Sequence, residues 1–178
     1  AVIRYAPKCL KEVLMKVGFT YATQGDLASI VAIYNEAIPT HLSTADLKPV
    51  SVASKQAWFD SYDPKRRPLW VLRADGRIVG WIGLEEFYGR PAYLHTADVS
   101  IHIANGFHRQ GLGQAALSHV IGELPRLGID TLVGFVFSHN AASQGLFRKN
   151  RFECWGHLPD VASMDGKRCS LDILGRKF

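Results

Sequence analysis

The stretch of this chain that most constrains its fold runs from Ala97 to Leu127. Val99, Ile101 and Ile103 alternate with Asp98, Ser100 and His102. That period of two predicts a strand over Ala97 to Ala104, with one face buried and the other turned toward a cleft. Next comes His108-Arg109-Gln110-Gly111-Leu112-Gly113, and then an amphipathic helix from about Gly113 to Leu127. A glycine has no Cβ and lets the backbone approach a ligand closely. The amides that open a helix have no intrahelical acceptor and carry the positive end of its dipole. Strand, glycine loop and helix in this order form an anion site of the kind that holds a pyrophosphate, with His108 and Arg109 as neighbouring donors. The glycine spacing is too short for a dinucleotide fingerprint or an NTPase phosphate loop. On its own, it is also compatible with a tight structural turn.

The remaining pattern alternates helices and strands. A strand over Phe19 to Ala22 leads through Thr23-Gln24-Gly25-Asp26, where Thr23 or Asp26 can cap, into a helix marked by Leu27, Ile30, Val31 and Tyr34 and ended by Pro39. Thr40 to Pro49 is a polar loop, and a second helix is expected over Val52 to Tyr62. Asp75-Gly76 joins strands Leu69 to Ala74 and Arg77 to Leu84 as a hairpin, because both residues tolerate positive φ. Phe87 to Tyr93 is a loop. Beyond the central helix lie a strand from Thr131 to Phe137, a short helix from Ala141 to Asn150 and one last strand ending near Leu174.

With 178 residues, 47% of them apolar, the chain has enough material for one domain, assigned to residues 19–178. Residues 1–18 place Leu10, Val13, Leu14 and Val17 at helical spacing and are expected to be an extension or a leader added in cloning. No apolar run reaches the ~20 residues of a membrane-spanning helix. Cys9, Cys154 and Cys169 are odd in number and lack zinc-site spacing, so reduced thiols, a cytoplasmic location and no metal are expected. Lys and Arg outnumber carboxylates by 21 to 16. The excess suits an anionic ligand, and its scatter argues against a nucleic-acid partner.

Read together, these motifs resemble the GNAT superfamily of N-acetyltransferases. The loop at 108–113 resembles its signature, Thr23-Gln24-Gly25-Asp26-Leu27 its usual opening and Gly76-Arg77-Ile78-Val79-Gly80 its central hairpin. Asn140-Ala141-Ala142-Ser143 through Leu146-Phe147 is similar to the later helix beside coenzyme A. More narrowly, Arg90-Pro91-Ala92-Tyr93, Thr96-Ala97-Asp98 and Leu171-Asp172-Ile173-Leu174-Gly175-Arg176 resemble the phosphinothricin and methionine sulfoximine acetyltransferase branch.

The resemblance implies an α/β fold with a central mixed, mostly antiparallel sheet, splayed at the acetyl-CoA site and flanked by helices. It also implies a homodimer, and acetyl transfer from acetyl-CoA to the amine of a small amino-acid-like substrate in a ternary complex. Pyrophosphate contacts map to His108, Arg109, Gln110, Gly111, Leu112 and Gly113, and the pantetheine arm to the backbone of Ile101, His102 and Ile103. Asn140 and Ser143 join the cofactor contacts, although Asn140 is equally placed to cap its helix. The base candidate is Asp98, where the resembled branch carries glutamate, with His102 on the same strand face as a second; His95 and His139 have weaker claims. The Ile103 amide is the candidate oxyanion donor. Arg90 suits a substrate carboxylate, with Tyr93, Thr44, Phe87 and Tyr88 lining the pocket. Two positions depart from the pattern: His108 replaces the usual Gln or Arg, and Phe147 stands where many members carry a tyrosine acid. No general acid is assigned, since a thiol of pKa about 8.5 leaves tolerably as thiolate. Acetylation of a protein or peptide amine, or acyl-CoA sensing without turnover, are the alternative functions.

Overall fold

A computed structural model describes residues 2–5 and 13–178. Eight strands form one sheet in the order β1-β2-β3-β4-β5-β6-β8-β7. They are β1 Val2–Tyr5, β2 Val13–Tyr21, β3 Leu69–Ala74, β4 Arg77–Glu86, β5 Thr96–Ile103, β6 Thr131–Phe137, β7 Glu153–Met164 and β8 Lys167–Lys177. Every neighbouring pair is antiparallel except β5 with β6. The mixed, mostly antiparallel sheet expected from the sequence is present.

Alternation along the strands divides the sheet between two helical layers. On one face Ile82, Leu84, Ala97 and Val99 pack with Leu112, Ala116, Leu117, Val120 and Leu124 of α3 (Leu112–Leu127). On the other, Trp81, Leu69 and Val71 pack with Ile30 and Ile33 of α1 (Leu27–Ala37), and Trp58 and Phe59 of α2 (Gln56–Asp60) lie against the same cluster. α4 (Ala141–Lys149) follows β6 and sets Phe147 into the α3-side core. Pro125 is accepted in the last turn of α3, which ends on Gly128 in the left-handed region at φ 66. None of the helices among the described residues is long and apolar enough to cross a membrane.

Three local expectations are corrected. Val13 and Val17, assigned helical spacing, lie in β2, which starts six positions before Phe19; Val17 and Gly18 pair with Ala74 and Arg73, and Val17 is buried. A β-branched residue on a pleated, half-buried surface favours the strand, and period alone could not decide over so short a stretch. Leu10 lies outside the described residues. The helix expected over Val52 to Tyr62 shortens to a 3₁₀ turn, Ala53–Lys55, and the five residues of α2. The single last strand is instead a hairpin, β7 and β8, turning at Asp165-Gly166 with φ values of 47° and 82°. The Asp75-Gly76 turn has the same pair of values.

Candidate active site

β5 runs into the glycine loop, and the loop backbone is left-handed at Gly106, Arg109 and Gly111, with φ of 84°, 60° and 78°. Gly111 is the N-cap of α3 and, having no side chain, gives its first turn no side-chain cap. The opening amides of α3, at Leu112 and Gly113, thus face outward at the positive end of the helix dipole. Two predicted donors work inside the loop: His108 Nε2 bonds to the Ile103 carbonyl at 2.8 Å, and Gln110 Nε2 donates to the Gly106 carbonyl at 3.0 Å. Arg109 is exposed. Gly113 has a packing reason of its own, because a Cβ there would stand 3.3 Å from Leu146 Cδ2 of α4.

The parallel ladder between β5 and β6 contains only Thr96↔Thr131, Ala97↔Leu132 and Asp98↔Val133. Beyond that rung the strands part, while β5 stays paired to β4 as far as Ile103↔Gly80 and β6 to β8 as far as Phe137↔Leu171. The result is a V-shaped opening in the sheet with Asp98 at its vertex. The Ala104 N–H donates to the Val79 carbonyl. Backbone groups alternate direction along an antiparallel strand, so Ala104, His102, Ser100 and Asp98 turn theirs to β4, and Ile103, Ile101 and Val99 turn theirs into the opening. Of the three backbones predicted to meet an extended ligand arm, Ile101 and Ile103 face the opening and His102 faces Trp81 of β4.

Asp98 stands opposite Glu85 in a hydrogen-bonded cross-strand pair. Burial raises its pKa, the Glu85 charge raises it further, and a hydrogen bond from the Val99 amide only partly offsets both; the result is about 7. Glu85 Oε1 accepts from Trp58 Nε1 at 3.2 Å and from Tyr62 Oη at 2.9 Å. Tyr62 is deeply buried, which together with Glu85 holds its phenol well above the ordinary range. It fits because Gly83 leaves room: a Cβ on Gly83 would lie 2.7 Å from Tyr62 Oη. Glu85, Trp58, Tyr62 and Gly83 went unnoticed in the sequence reading. Their signal was Trp81, Gly83 and Glu85 at period two on the face that α2 covers.

His102 lies two pleats beyond Asp98 on this face, but in a packing environment. It is 8% exposed, stacked on Trp81 at 4.4 Å between centroids and tilted against Tyr34 at 5.3 Å. Burial, reinforced by the Lys55 charge, lowers its pKa to about 4, so the ring is neutral at physiological pH. Lys55 Nζ sits 4.4 Å from the Tyr34 ring centroid.

Of the other predicted residues, Asn140 is buried and caps α4: its Oδ1 accepts the Ser143 N–H at 3.0 Å and its Nδ2 donates to the Leu42 carbonyl at 2.9 Å. His139 Nε2 bonds to the His41 carbonyl, tying the same junction to the 41–44 segment. Thr44 is buried and hydrogen-bonded to Tyr34. His95 bonds to the Gly128 carbonyl. Arg90 and Tyr93 line a cavity of about 250 Å³ with Arg66, Arg67, Glu86 and Phe87. Glu86 borders this cavity while its neighbour Glu85 faces Asp98, so the two features meet at the end of β4. Phe147 packs edge-on to Phe152 and over Gly134, next to Val133 but on the sheet face opposite Asp98.

A sheet that opens beside a glycine loop at a helix start, with a buried carboxylate of raised pKa at the vertex, has the shape of a group-transfer site for an elongated anionic donor. Residues 30–152 match the acetyltransferase (GNAT) family model. The chain is 43% identical over 158 residues to YwnH of Bacillus subtilis strain 168, provisionally a phosphinothricin acetyltransferase, covering 88% of this chain and 96% of that protein. It is 29% identical to the L-methionine sulfoximine/L-methionine sulfone acetyltransferase of Pseudomonas paraeruginosa strain PA7, covering 90% and 94%. A crystal structure provisionally assigned as a phosphinothricin N-acetyltransferase superposes with a TM-score of 0.88 at 42% identity, covering 91% of this chain and 98% of the other. The chain belongs to the GNAT acetyltransferase family, and it is an acetyl-CoA-dependent N-acetyltransferase.

Proposed function

We propose that the protein acetylates the amine of a small amino-acid-like acceptor by direct transfer from acetyl-CoA, with Asp98 as the base. The observation that carries this reading is the position of Asp98 on the last rung before the strands part, with a pKa near 7. A base does most when its pKa lies near the working pH. An α-amine of pKa about 7.7 to 8.0 is mostly protonated at neutrality and must lose a proton before it attacks. Asp98, directly or through a water, takes that proton, and the neutral nitrogen then bonds to the carbonyl carbon. The carbon–sulfur bond breaks, the second proton of the acylated nitrogen passes to the departing thiolate or to solvent, and coenzyme A leaves.

Acetyl-CoA supplies the thioester. The uncapped amides at Leu112 and Gly113, with Arg109 beside them, suit its pyrophosphate. The outward backbone of Ile101 and Ile103 suits the pantetheine arm, and the Ile103 amide a developing oxyanion. His108 and Gln110 serve by closing the loop. His102, with its low pKa and stacked ring, contributes packing, and Asn140 and Ser143 contribute the α4 cap. Arg90, in its open cavity at the end of β4, is the cation for an acceptor carboxylate. One named relative is an L-methionine sulfoximine/L-methionine sulfone acetyltransferase and another is provisionally a phosphinothricin acetyltransferase, and acceptors of this class are expected here. A homodimer is expected too, since Phe135 of β6 and Trp155, Leu158 and Val161 of β7 expose apolar surface. A cytoplasmic location fits the free thiols of Cys154 and Cys169.

A thiol-release screen over amino acids, methionine sulfoximine and sulfone, phosphinothricin, polyamines and peptides tests the reading. Turnover confined to small amino-acid-like amines is the expected result. Preference for peptides would move the assignment to a protein acetyltransferase. Calorimetry with millimolar acetyl-CoA showing no binding would end it altogether.

A further inference from the structure

Glu85 lies outside every residue given a role above, yet it is the most constrained polar side chain near the vertex. The β4–β5 register sets it opposite Asp98 in a hydrogen-bonded pair, a geometry in which Cα atoms stand about 5.5 Å apart. Like charges placed directly across a ladder are unfavourable, so this pair weakens the sheet whenever both carboxyls are ionised. The pair is also secured from a third element. Trp58 and Tyr62 reach down from α2 and the turn after it, and both donate to the same oxygen of Glu85. An indole N–H can only donate, so the contact fixes Oε1 as an acceptor. Trp58 is in turn braced edge-on by Tyr62 and Trp81, at 5.1 and 5.5 Å between centroids. Gly83 provides the space for Tyr62 between Glu85 and Trp81 on one strand face. A buried aromatic clamp, a glycine gap and a strand register thus converge on one carboxylate.

We propose that Glu85, clamped by Trp58 and Tyr62 directly across the β4–β5 ladder from Asp98, is a positioning residue whose fixed negative charge makes Asp98 a better proton acceptor. The proposal rests on reading Asp98 as the base of acetyl transfer. Glu85 touches neither acceptor nor cofactor in this scheme and acts only through Asp98. The groups that face Asp98 are Glu85 from β4, Tyr62 following α2 and its own neighbour's amide at Val99; β6 offers only Val133. Farther along the face stand His102, neutral at physiological pH, and Lys55 beside Tyr34. Glu85 is the one anion among these described residues. Its charge opposes ionisation of Asp98 and strengthens the hold of Asp98 on a proton once that proton arrives, which is the property a base near an ammonium requires.

The test compares wild type with Glu85→Gln, Glu85→Asp, Tyr62→Phe and Asp98→Asn. For each, kcat is followed from about pH 5.5 to 9.5 with both substrates saturating, because that profile reports the groups of the bound complex. Acetyl-CoA affinity is measured by calorimetry alongside. Glu85→Gln is expected to move the acid limb down by about one pH unit and to lower the plateau several-fold, with acetyl-CoA affinity unchanged. Glu85→Asp keeps the charge and returns the limb most of the way to the wild-type position. If Glu85→Gln fails to fold, Tyr62→Phe keeps the ring and loses one donor, and a smaller shift in the same direction is expected. A drop in kcat that is equal at every pH, with the limb unmoved, makes Glu85 a strut for α2 and overturns the proposal. The reading of Asp98 fails separately, by an acid limb that survives in Asp98→Asn.

Discussion

Asp98 and Val133 form the last rung of the parallel ladder between β5 and β6, and the two strands part immediately beyond it. A strand pair that opens partway loses backbone hydrogen bonds, a cost tolerated where a ligand's own polar groups can replace them. The register therefore sets the carboxylate and the exposed edges of β5 and β6 within one opening.

Asp98→Asn is isosteric and cannot take a proton. At pH 7 it is expected to lower kcat by about a hundredfold or more. The deficit shrinks toward high pH, where acceptor amines lose their protons unaided. A pH series of initial rates checks this, and an unchanged profile removes Asp98 as the base.

The same residue makes a prediction about stability with the opposite sign. Its folded pKa of about 7 lies above the ordinary carboxylate value, so the native state binds more protons than the unfolded chain between roughly pH 4 and 7. The Asp98 contribution to stability is present below that window and is lost as pH rises through it. Asp98→Asn should melt higher than wild type at pH 8 and lose that advantage at pH 4. Differential scanning calorimetry at the two pH values decides.

His102 tests whether a second base exists. Its folded pKa of about 4 lies below the unfolded value near 6.5, so its contribution is fully present above pH 6.5 and is lost as pH falls toward 4. His102→Phe keeps an aromatic ring on Trp81. The variant is expected to retain most of its turnover and to melt with a shallower acid dependence over that window. Loss of turnover with normal folding would restore His102 as a catalytic group.

The glycine loop predicts a difference between its two glycines. Gly111 is left-handed at φ 78°, so Gly111→Ala should cost roughly 1–2 kcal/mol and distort the opening amides of α3. Gly113→Ala meets only the methyl end of Leu146 at 3.3 Å, which can shift by a few tenths of an ångström. The KM for acetyl-CoA should rise about tenfold or more in the first variant and much less in the second.

Much of this geometry was legible in the sequence, and the exceptions have physical causes. The order from β5 through the glycine loop to α3 was readable because period two, glycine and period 3.6 are local signals. Asp75-Gly76 and Asp165-Gly166 turn at the same φ values, yet only the first lies between plainly apolar strands. β7 is largely exposed and contains Pro159, so its apolar pattern is faint. Glu85 was missed for a different reason: its meaning lies in the β4–β5 register and in α2 above it, and no local pattern encodes either. His102 shows the converse, since a histidine two pleats from a carboxylate suggests a base until Trp81 and Tyr34 are seen around it.

Phe147 tests the leaving-group side of the mechanism. Its ring is 5% exposed, stands edge-on to Phe152, and touches Gly134, where an added Cβ would come within 2.9 Å of two ring carbons. Phe147→Tyr therefore buries a hydroxyl among apolar groups and should cost roughly 1–3 kcal/mol of stability without speeding thiolate departure. Gly134→Ala should be destabilising by a similar amount, about 1–3 kcal/mol, because the ring is held by the core on its other side. If Phe147→Tyr instead raised kcat, and raised it most where the thiolate is hardest to release, a proton donor at this position would be reaching the opening between β5 and β6. The leaving thiolate would then need an acid that the native residue does not supply.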